Sequence, residues 1–254
     1  MNTKMKVLSL ALVGLCGYAG SAMATCPAGP DQANGGAWSA LNVGGGTSSA
    51  TVVTGGYDGT ECKLQSQVAN NGAARASVRD DSPANETRYR AQFIFDPSAL
   101  SGANGANQAT IFLANAQAAH NTVLNLVKIT FAGSGGGSTS SGKKLFIAAA
   151  CETGGICSTQ VPLPNQTGPN RIEVDLTVGA SGALRYWVND AATTGITEAS
   201  GVTLALTGGN AGWVGVKQAY LGVASPSVSY RGTNAGVNAW FDQFDSRRQT
   251  FIGH

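Results

Sequence analysis

Glu173 and Asp175 stand two residues apart in the segment IEVDLTV. In extended backbone that spacing turns both carboxylates to the same side. A pair of carboxylates can hydrolyse a glycosidic bond, one protonating the leaving oxygen while the other acts as base or nucleophile. No other acidic residue of the segment can serve as a proton donor opposite a nucleophile, so a solvated polar sheet face is the favoured reading. Trp187 and Trp240 fall at positions opposite in parity to Leu184, Tyr186 and Val188, and to Ala239 and Phe241. That alternation predicts exposed indoles, which can stack on sugar rings while Arg185 and Asn189 supply hydrogen bonds. The candidate ligand-binding residues are therefore Trp187, Trp240, Glu173, Asp175, Arg185 and Asn189, with none assigned to catalysis or to a metal.

Other chemistries find less support. The two histidines are His120 and His254, and no Gly-x-Ser-x-Gly elbow occurs, so nothing points to a serine hydrolase. Residues 137–144, GSTSSGKK, follow the phosphate-loop pattern until Lys144 takes the place of the magnesium-binding hydroxyl. The following LFIAAA reads as a strand, whereas a phosphate loop opens a helix. No Asp-rich calcium loop is present, although jelly-roll loop oxygens could hold calcium without a motif. No cofactor is expected.

Composition narrows the setting. Lys4 and Lys6 precede the apolar run Val7 to Ala19, and Ala22-Met23-Ala24 offers small residues for cleavage. We expect a signal peptide over 1–24, cut near Ala24, and a secreted or periplasmic chain. The apolar run is too short to cross a bilayer about 30 Å thick. Subtracting Lys4 and Lys6 from 16 basic residues leaves 14 against 14 acidic ones. A neutral chain offers no electrostatic attraction to nucleic acid. Cys26, Cys62, Cys151 and Cys157 remain, an even number in an exported chain. The Gly-rich segment CETGGIC can close a small loop, which favours Cys151 with Cys157 and Cys26 with Cys62.

These side chains must be positioned by strands. TRYRAQFIF puts Tyr89, Ala91, Phe93 and Phe95 on one face and Arg88, Arg90 and Gln92 on the other. NRIEVDLTV puts Ile172, Val174, Leu176 and Val178 inward. Ten more short segments behave alike: 50–54, 61–68, 74–78, 109–114, 123–131, 143–150, 183–189, 202–206, 216–224 and 237–244. Gly, Asn, Asp and Pro punctuate them, and no helical period is sustained. The expected fold is all-β, a jelly-roll sandwich of two antiparallel sheets in a single domain over 25–254.

The ending WFDQFDSRRQTFIGH poses a separate problem, because Phe241 and Phe244 are three apart. Both can face the core only if a bulge intervenes near Asp242 or Gln243. Arg247 and Arg248 would then pair with Asp242, Asp245 or carboxylates on a neighbouring strand.

Together with RYRAQFIFDPSAL, IEVDL and LRYWVND, this ending resembles a group of secreted bacterial proteins with a LamG-like, concanavalin A-like jelly roll. IEVDL also resembles the first half of the Glu-x-Asp-x-x-Glu strand of laminarinase-type glucanases, whose third member would fall at Val178. The resemblance implies a concanavalin A-like sandwich and brings no catalytic assignment. The expected function is a secreted, non-catalytic, lectin-like module for carbohydrate or another extracellular ligand. One alternative is a structural or adhesive surface protein that self-associates through a sheet edge; a second is a glycoside hydrolase using Glu173 and Asp175.

Overall fold

The computed structural model describes residues 25–102, 104–116, 124–134, 142–151, 155–209, 214–247 and 249–253. The expected signal peptide, His120, His254 and Arg248 lie outside them. The strands in chain order are β1 (Ala40–Gly44), β2 (Ser49–Thr54), β3 (Cys62–Gln67), β4 (Arg75–Asp80), β5 (Arg88–Asp96), β6 (Gln108–Ala116) and β7 (Leu124–Ala132). There follow β8 (Lys144–Cys151), β9 (Gly155–Pro162), β10 (Asn170–Thr177), β11 (Ala183–Asp190), β12 (Val202–Leu204), β13 (Gln218–Pro226) and β14 (Asn238–Arg247). They form two seven-stranded antiparallel sheets. The back sheet runs β1-β4-β13-β6-β7-β8-β9, and the front sheet runs β12-β11-β10-β5-β14-β3-β2. Neighbours distant in sequence, such as β5 beside β10 and β14, show the chain passing repeatedly between layers, as a jelly roll requires.

The inner residues of each strand are those the alternation selects. Ala91, Phe93, Phe95, Ile172, Val174, Leu176 and Phe241 of the front sheet are fully buried against Ile111, Phe112, Ile129, Phe131 and Ile147 of the back sheet. Phe93 stacks on Phe112 with ring centres 5.3 Å apart, and Phe95 lies 5.2 Å from Phe241 and 5.6 Å from Phe131. Burying a ring of this size stabilises by roughly 1.5–3 kcal/mol, so this cross-sheet cluster does most to clamp the layers.

The bulge expected in β14 is present. Pairing with β5 shifts register between Asp242 and Asp245, and Gln243 takes φ +48°. The extra residue lets Phe241 enter the core while Phe244 reaches Trp38, 4.7 Å between ring centres. Arg247 closes the strand in an ion pair with Asp245 at 2.7 Å.

Cys26 is bonded to Cys62, and Cys151 to Cys157 across the β8–β9 hairpin. The strand β8 starts at Lys144, so the phosphate-loop pattern lacks the helix it would need. The strand β1, the edge strand β9 and the helix α1 (Val228–Asn234) lie outside the segments expected from sequence, although β9 does alternate in burial. That helix is one short element held by Ser227, whose hydroxyl accepts from the Tyr230 N–H. Among the described residues no helix is long and apolar enough to cross a membrane.

Candidate functional site

The outer face of the front sheet carries the chain's densest set of polar side chains, and its two halves differ. On the β11–β10–β5 half, alternation aims Trp187, Glu173, Asp175, Arg90 and Gln92 outward, as expected. None reaches solvent: Arg90 is wholly enclosed, and Trp187, Glu173 and Gln92 are each below 5% exposed. Two segments cover them. Residues 197–201 run over β11, where the Trp187 indole N–H donates to the Thr197 carbonyl and Arg185 donates to the Glu198 carbonyl. The approach is close enough that a Cβ at Gly201 would stand 2.3 Å from the Trp187 ring.

The second cover is the strap formed by residues 249–253. The N–H groups of Ile252 and Gly253 donate to the Glu173 carboxylate at 3.1 and 3.0 Å. Gln92 donates to the Gly253 carbonyl at 2.7 Å, and Phe251 lies 5.2 Å from Trp187. Phe251 and Trp187 also flank Arg90, with ring centres 5.8 and 5.7 Å from its guanidinium carbon.

Buried charge on this half is matched by charge. Asp175 accepts from Arg88 and Arg90, and Arg90 also donates to Glu198 at 2.8 Å. Burial alone would raise the Asp175 carboxyl, but the hydrogen bonds from Arg88 and Arg90 outweigh it and hold the group below the usual carboxylate range. Both oxygens of Asp175 are engaged by Arg88 and Arg90, and both oxygens of Glu173 by Gln92 and the strap N–H groups, so neither carboxylate faces a glycosidic oxygen. Asn189 stands opposite Arg171 in the β10–β11 pairing, at the far end of this half.

The β5–β14–β3 half is more open. Tyr57, Lys63, Trp240, Asp242 and Gln243 are half-buried. Tyr57 comes from the β2–β3 turn, pinned by its N–H on Asp242 at 2.6 Å and by Thr60 on the same carboxylate at 2.5 Å. Its phenol donates to Asp96 at 2.5 Å, and the Lys63 ammonium donates to the phenol oxygen at 3.4 Å. Lys63 also sits 4.6 Å from the Tyr57 ring centre and 5.2 Å from that of Trp240. Burial first, then the hydrogen bond and charge of Asp96, push the Tyr57 phenol well above its ordinary value.

A chain of hydrogen bonds joins the halves. Arg171 donates to the side-chain oxygens of Gln92 and Gln243, each at 3.0 Å, and to Asp58; Gln243 donates to the Tyr57 carbonyl at 3.1 Å. Burial lowers the affinity of Arg171 for its proton, partly offset by the charges of Asp58, Asp242 and Glu173.

Of the residues singled out from sequence, Trp187, Glu173, Asp175 and Arg185 gather under the two covers, whereas Trp240 lies on the open half. Sequence reasoning missed Tyr57, Lys63, Asp96, Gln92, Arg171 and Gln243 as a group. Outward parity could have flagged Lys63 beside Leu64, but Tyr57 lies in a turn with no period to read. A cavity of about 550 Å³ also opens between the sheets, lined by Trp38, Val52, Leu64, Leu221, Phe241 and Phe244 among others. Its wall is mixed: Lys63, Asp242 and Gln243 of the open half line it too, together with Ser39, Asp80 and Ser82. Among the described residues no cluster of three or more His, Cys, Asp or Glu side chains could hold a metal ion.

No family model and no curated protein matches this chain. Solved structures do share its fold. An endo-β-1,4-glucuronan lyase from the fungus Trichoderma reesei superposes with a TM-score of 0.56 at 10% identity, covering 84% of this chain and 91% of that one. The cellulose-induced protein Cip1 gives 0.51 at 12%, covering 82% and 91%. An alginate lyase from Pseudomonas aeruginosa gives 0.47 at 14%, covering 74% and 83%. The first two likenesses show that the fold is a jelly-roll sandwich. The glucuronan lyase overturns the expectation of a non-catalytic, lectin-like module that is not an enzyme, since it carries the same sandwich. The glycoside hydrolase built on Glu173 and Asp175 is disfavoured by geometry instead, since Asp175 is paired with Arg88 and Arg90 and Glu173 is held by the Ile252 and Gly253 N–H groups.

Proposed function

We propose that this chain is an exported carbohydrate-processing enzyme, a polysaccharide lyase acting on a uronate-containing polymer at the open half of the front sheet. The observation that carries the reading is the convergence of Lys63, Tyr57, Asp96 and Trp240: a cation, a phenol, a buried carboxylate and an aromatic plate at one half-buried patch of the sheet face. The glucuronan lyase on the same fold supports it, and the two disulfides fit an oxidising compartment.

The chemistry follows from the groups present. Trp240 stacks on a sugar ring, and the Lys63 ammonium pairs with the uronate carboxylate, which makes the adjacent C5 proton more acidic. Tyr57 passes its phenol proton to Asp96 as its oxygen takes the C5 proton. The C5 electron pair forms the C4–C5 double bond while the C4–oxygen bond breaks. The leaving oxygen then takes the proton from Tyr57, and Asp96 returns its own to the phenol. The net transfer is one proton from C5 to the leaving oxygen, with no water consumed. Burial and the Asp96 carboxylate beside it keep the phenol protonated at rest, in the state that can donate to the leaving oxygen.

The test is to incubate residues 25–254 with polyglucuronate and with alginate and to follow the ultraviolet absorbance of the new double bond. We expect a rise with a polyuronate and none with cellulose. Tyr57→Phe should lower the rate by about 100-fold or more while circular dichroism stays native. No absorbance change with any polyuronate, or an unimpaired Tyr57→Phe variant, would refute the assignment.

A further inference from the structure

The strap ends the open part of the face abruptly. Tyr57, Lys63, Trp240, Asp242 and Gln243 remain half-buried, yet on the same sheet Arg90, Gln92, Glu173 and Trp187 are shut away. The boundary runs along β5, where Asp96 belongs to the open cluster and Gln92, four residues earlier, already bonds the strap. A polymer seated on Trp240 and Lys63 lies across β3, β14 and β5, which spans about 10 Å at the usual strand spacing. Beyond β5 it meets Phe251 packed on Trp187 and the Ile252–Gly253 peptide gripping Glu173.

The grip is specific. Glu173 takes both of its backbone partners from consecutive N–H groups, and charge-assisted bonds of this kind are about twice as strong as neutral ones. Phe251 packs against the Trp187 ring with centres 5.2 Å apart and planes tilted by 45°, so the indole is occupied by the strap. A segment held by a buried carboxylate, a buried amide and a buried indole is a wall, not a fringe of the chain.

We infer that residues 249–253 form a specificity wall that closes one end of the uronate-binding groove, so that the enzyme releases short unsaturated products from chain ends. This rests on the lyase reading and goes beyond it by naming Phe251, Ile252 and Glu173 as the groups that set product length. The endo-acting neighbour bears its mode of attack in its name, and this chain is assigned the opposite one on the strength of the strap.

Two arms decide the matter. In the first, polyglucuronate digestion by the full chain is followed by viscosity and by product sizing. Short products from the outset with slowly falling viscosity are expected, and the double variant Phe251→Ser with Ile252→Pro should shift to long early products and a rapid viscosity fall. Ile252→Pro deletes one N–H donor to Glu173 without disturbing the sheet. In the second, Tyr57→Phe protein, with and without the two strap substitutions, is titrated calorimetrically with a diuronate and a hexauronate. Opening the wall should tighten the hexauronate by about tenfold and leave the diuronate unchanged. Early long products from the native chain, or equal hexauronate affinity with and without the strap substitutions, overturns the wall. If no form cuts a polyuronate, the lyase reading fails, and the binding arm still decides whether the strap closes a groove.

Discussion

Arg90 is the side chain whose removal the fold should tolerate least. Its guanidinium is fully enclosed, donates to Asp175 and to Glu198, and lies 3.9 Å from Glu173 through Nε. Arg90→Met would keep most of the volume while leaving two buried carboxylates short of a counter-charge. Asp175 would retain only Arg88, which is itself 41% exposed. Breaking a buried ion pair by deleting one partner costs about 3–5 kcal/mol, because the survivor stays desolvated. The Glu198 contact adds little, since that carboxylate is half exposed and such pairs are worth about 1 kcal/mol or less. We therefore expect a loss of about 3–5 kcal/mol for Arg90→Met and a much smaller one for Glu198→Ala. Adding Asp175→Asn to Arg90→Met should recover part of the loss, because the stranded charge is then gone. Urea unfolding followed by tryptophan fluorescence, with both disulfides intact, gives each value from the shift in midpoint at a shared slope. Equal costs for Arg90→Met and Glu198→Ala would refute the claim that this charge cluster is held by the buried guanidinium.

The pH dependence of stability should report the same cluster. Asp175 titrates below its unfolded value near 3.9, so its contribution is present above about pH 4 and lost as pH falls through the lower folded value. Asp175→Asn should flatten the stability curve below about pH 4, and an unchanged slope there would remove the carboxylate from the account. The disulfides should differ in weight: with sequence separations of 36 and 6, loop-closure entropy assigns about 4 kcal/mol to Cys26–Cys62 and about 2 kcal/mol to Cys151–Cys157. Paired Cys→Ala variants compared by urea midpoint test that order, and a larger loss from the hairpin pair would contradict it.

Period-two reading worked wherever one strand face meets the core. Phe93 and Phe95, and Ile172, Val174 and Leu176, are inward because oily side chains at alternate positions leave a strand no other way to bury them. The same logic foresaw the β14 bulge, since Phe241 and Phe244 cannot share a face without an extra residue. It failed on the opposite face. Outward parity was taken to mean exposure for Trp187 and Glu173, but what lies over an outward residue depends on segments with no period of their own. Residues 197–201 and 249–253 are such segments, and nothing in RRQTFIG states that its peptide N–H groups will find a carboxylate some eighty residues away. Tyr57 was hidden for the same reason, being fixed by Asp242, 185 residues along the chain. The strand β9 keeps period two in burial but went unread because Ile156 takes an outward position while Thr159 takes an inward one.

The hydrogen bonds that link the strap to Tyr57 give the two halves of the face a common constraint. Gln92 donates to the strap carbonyl and accepts from Arg171; Gln243 accepts from Arg171 and donates to the Tyr57 carbonyl. Each amide uses its N–H₂ in one direction and its oxygen in the other, so neither can be replaced by a carboxylate without losing a donor. Arg171 stands between them: one guanidinium nitrogen donates to both amide oxygens, and the other donates to Asp58. Gln243 can make its contact because the bulge holds it at φ +48°, so the irregularity that admits Phe244 to the core also aims this amide at the Tyr57 turn. A catalytic phenol must be held to within a fraction of an ångström of its working position by neighbours that are themselves locked. Here the locking runs from the strap, through two amides and a guanidinium buried at the sheet surface, to the turn that carries Tyr57. The closing of one end of the groove and the placement of the phenol at the other are thus consequences of the same set of bonds.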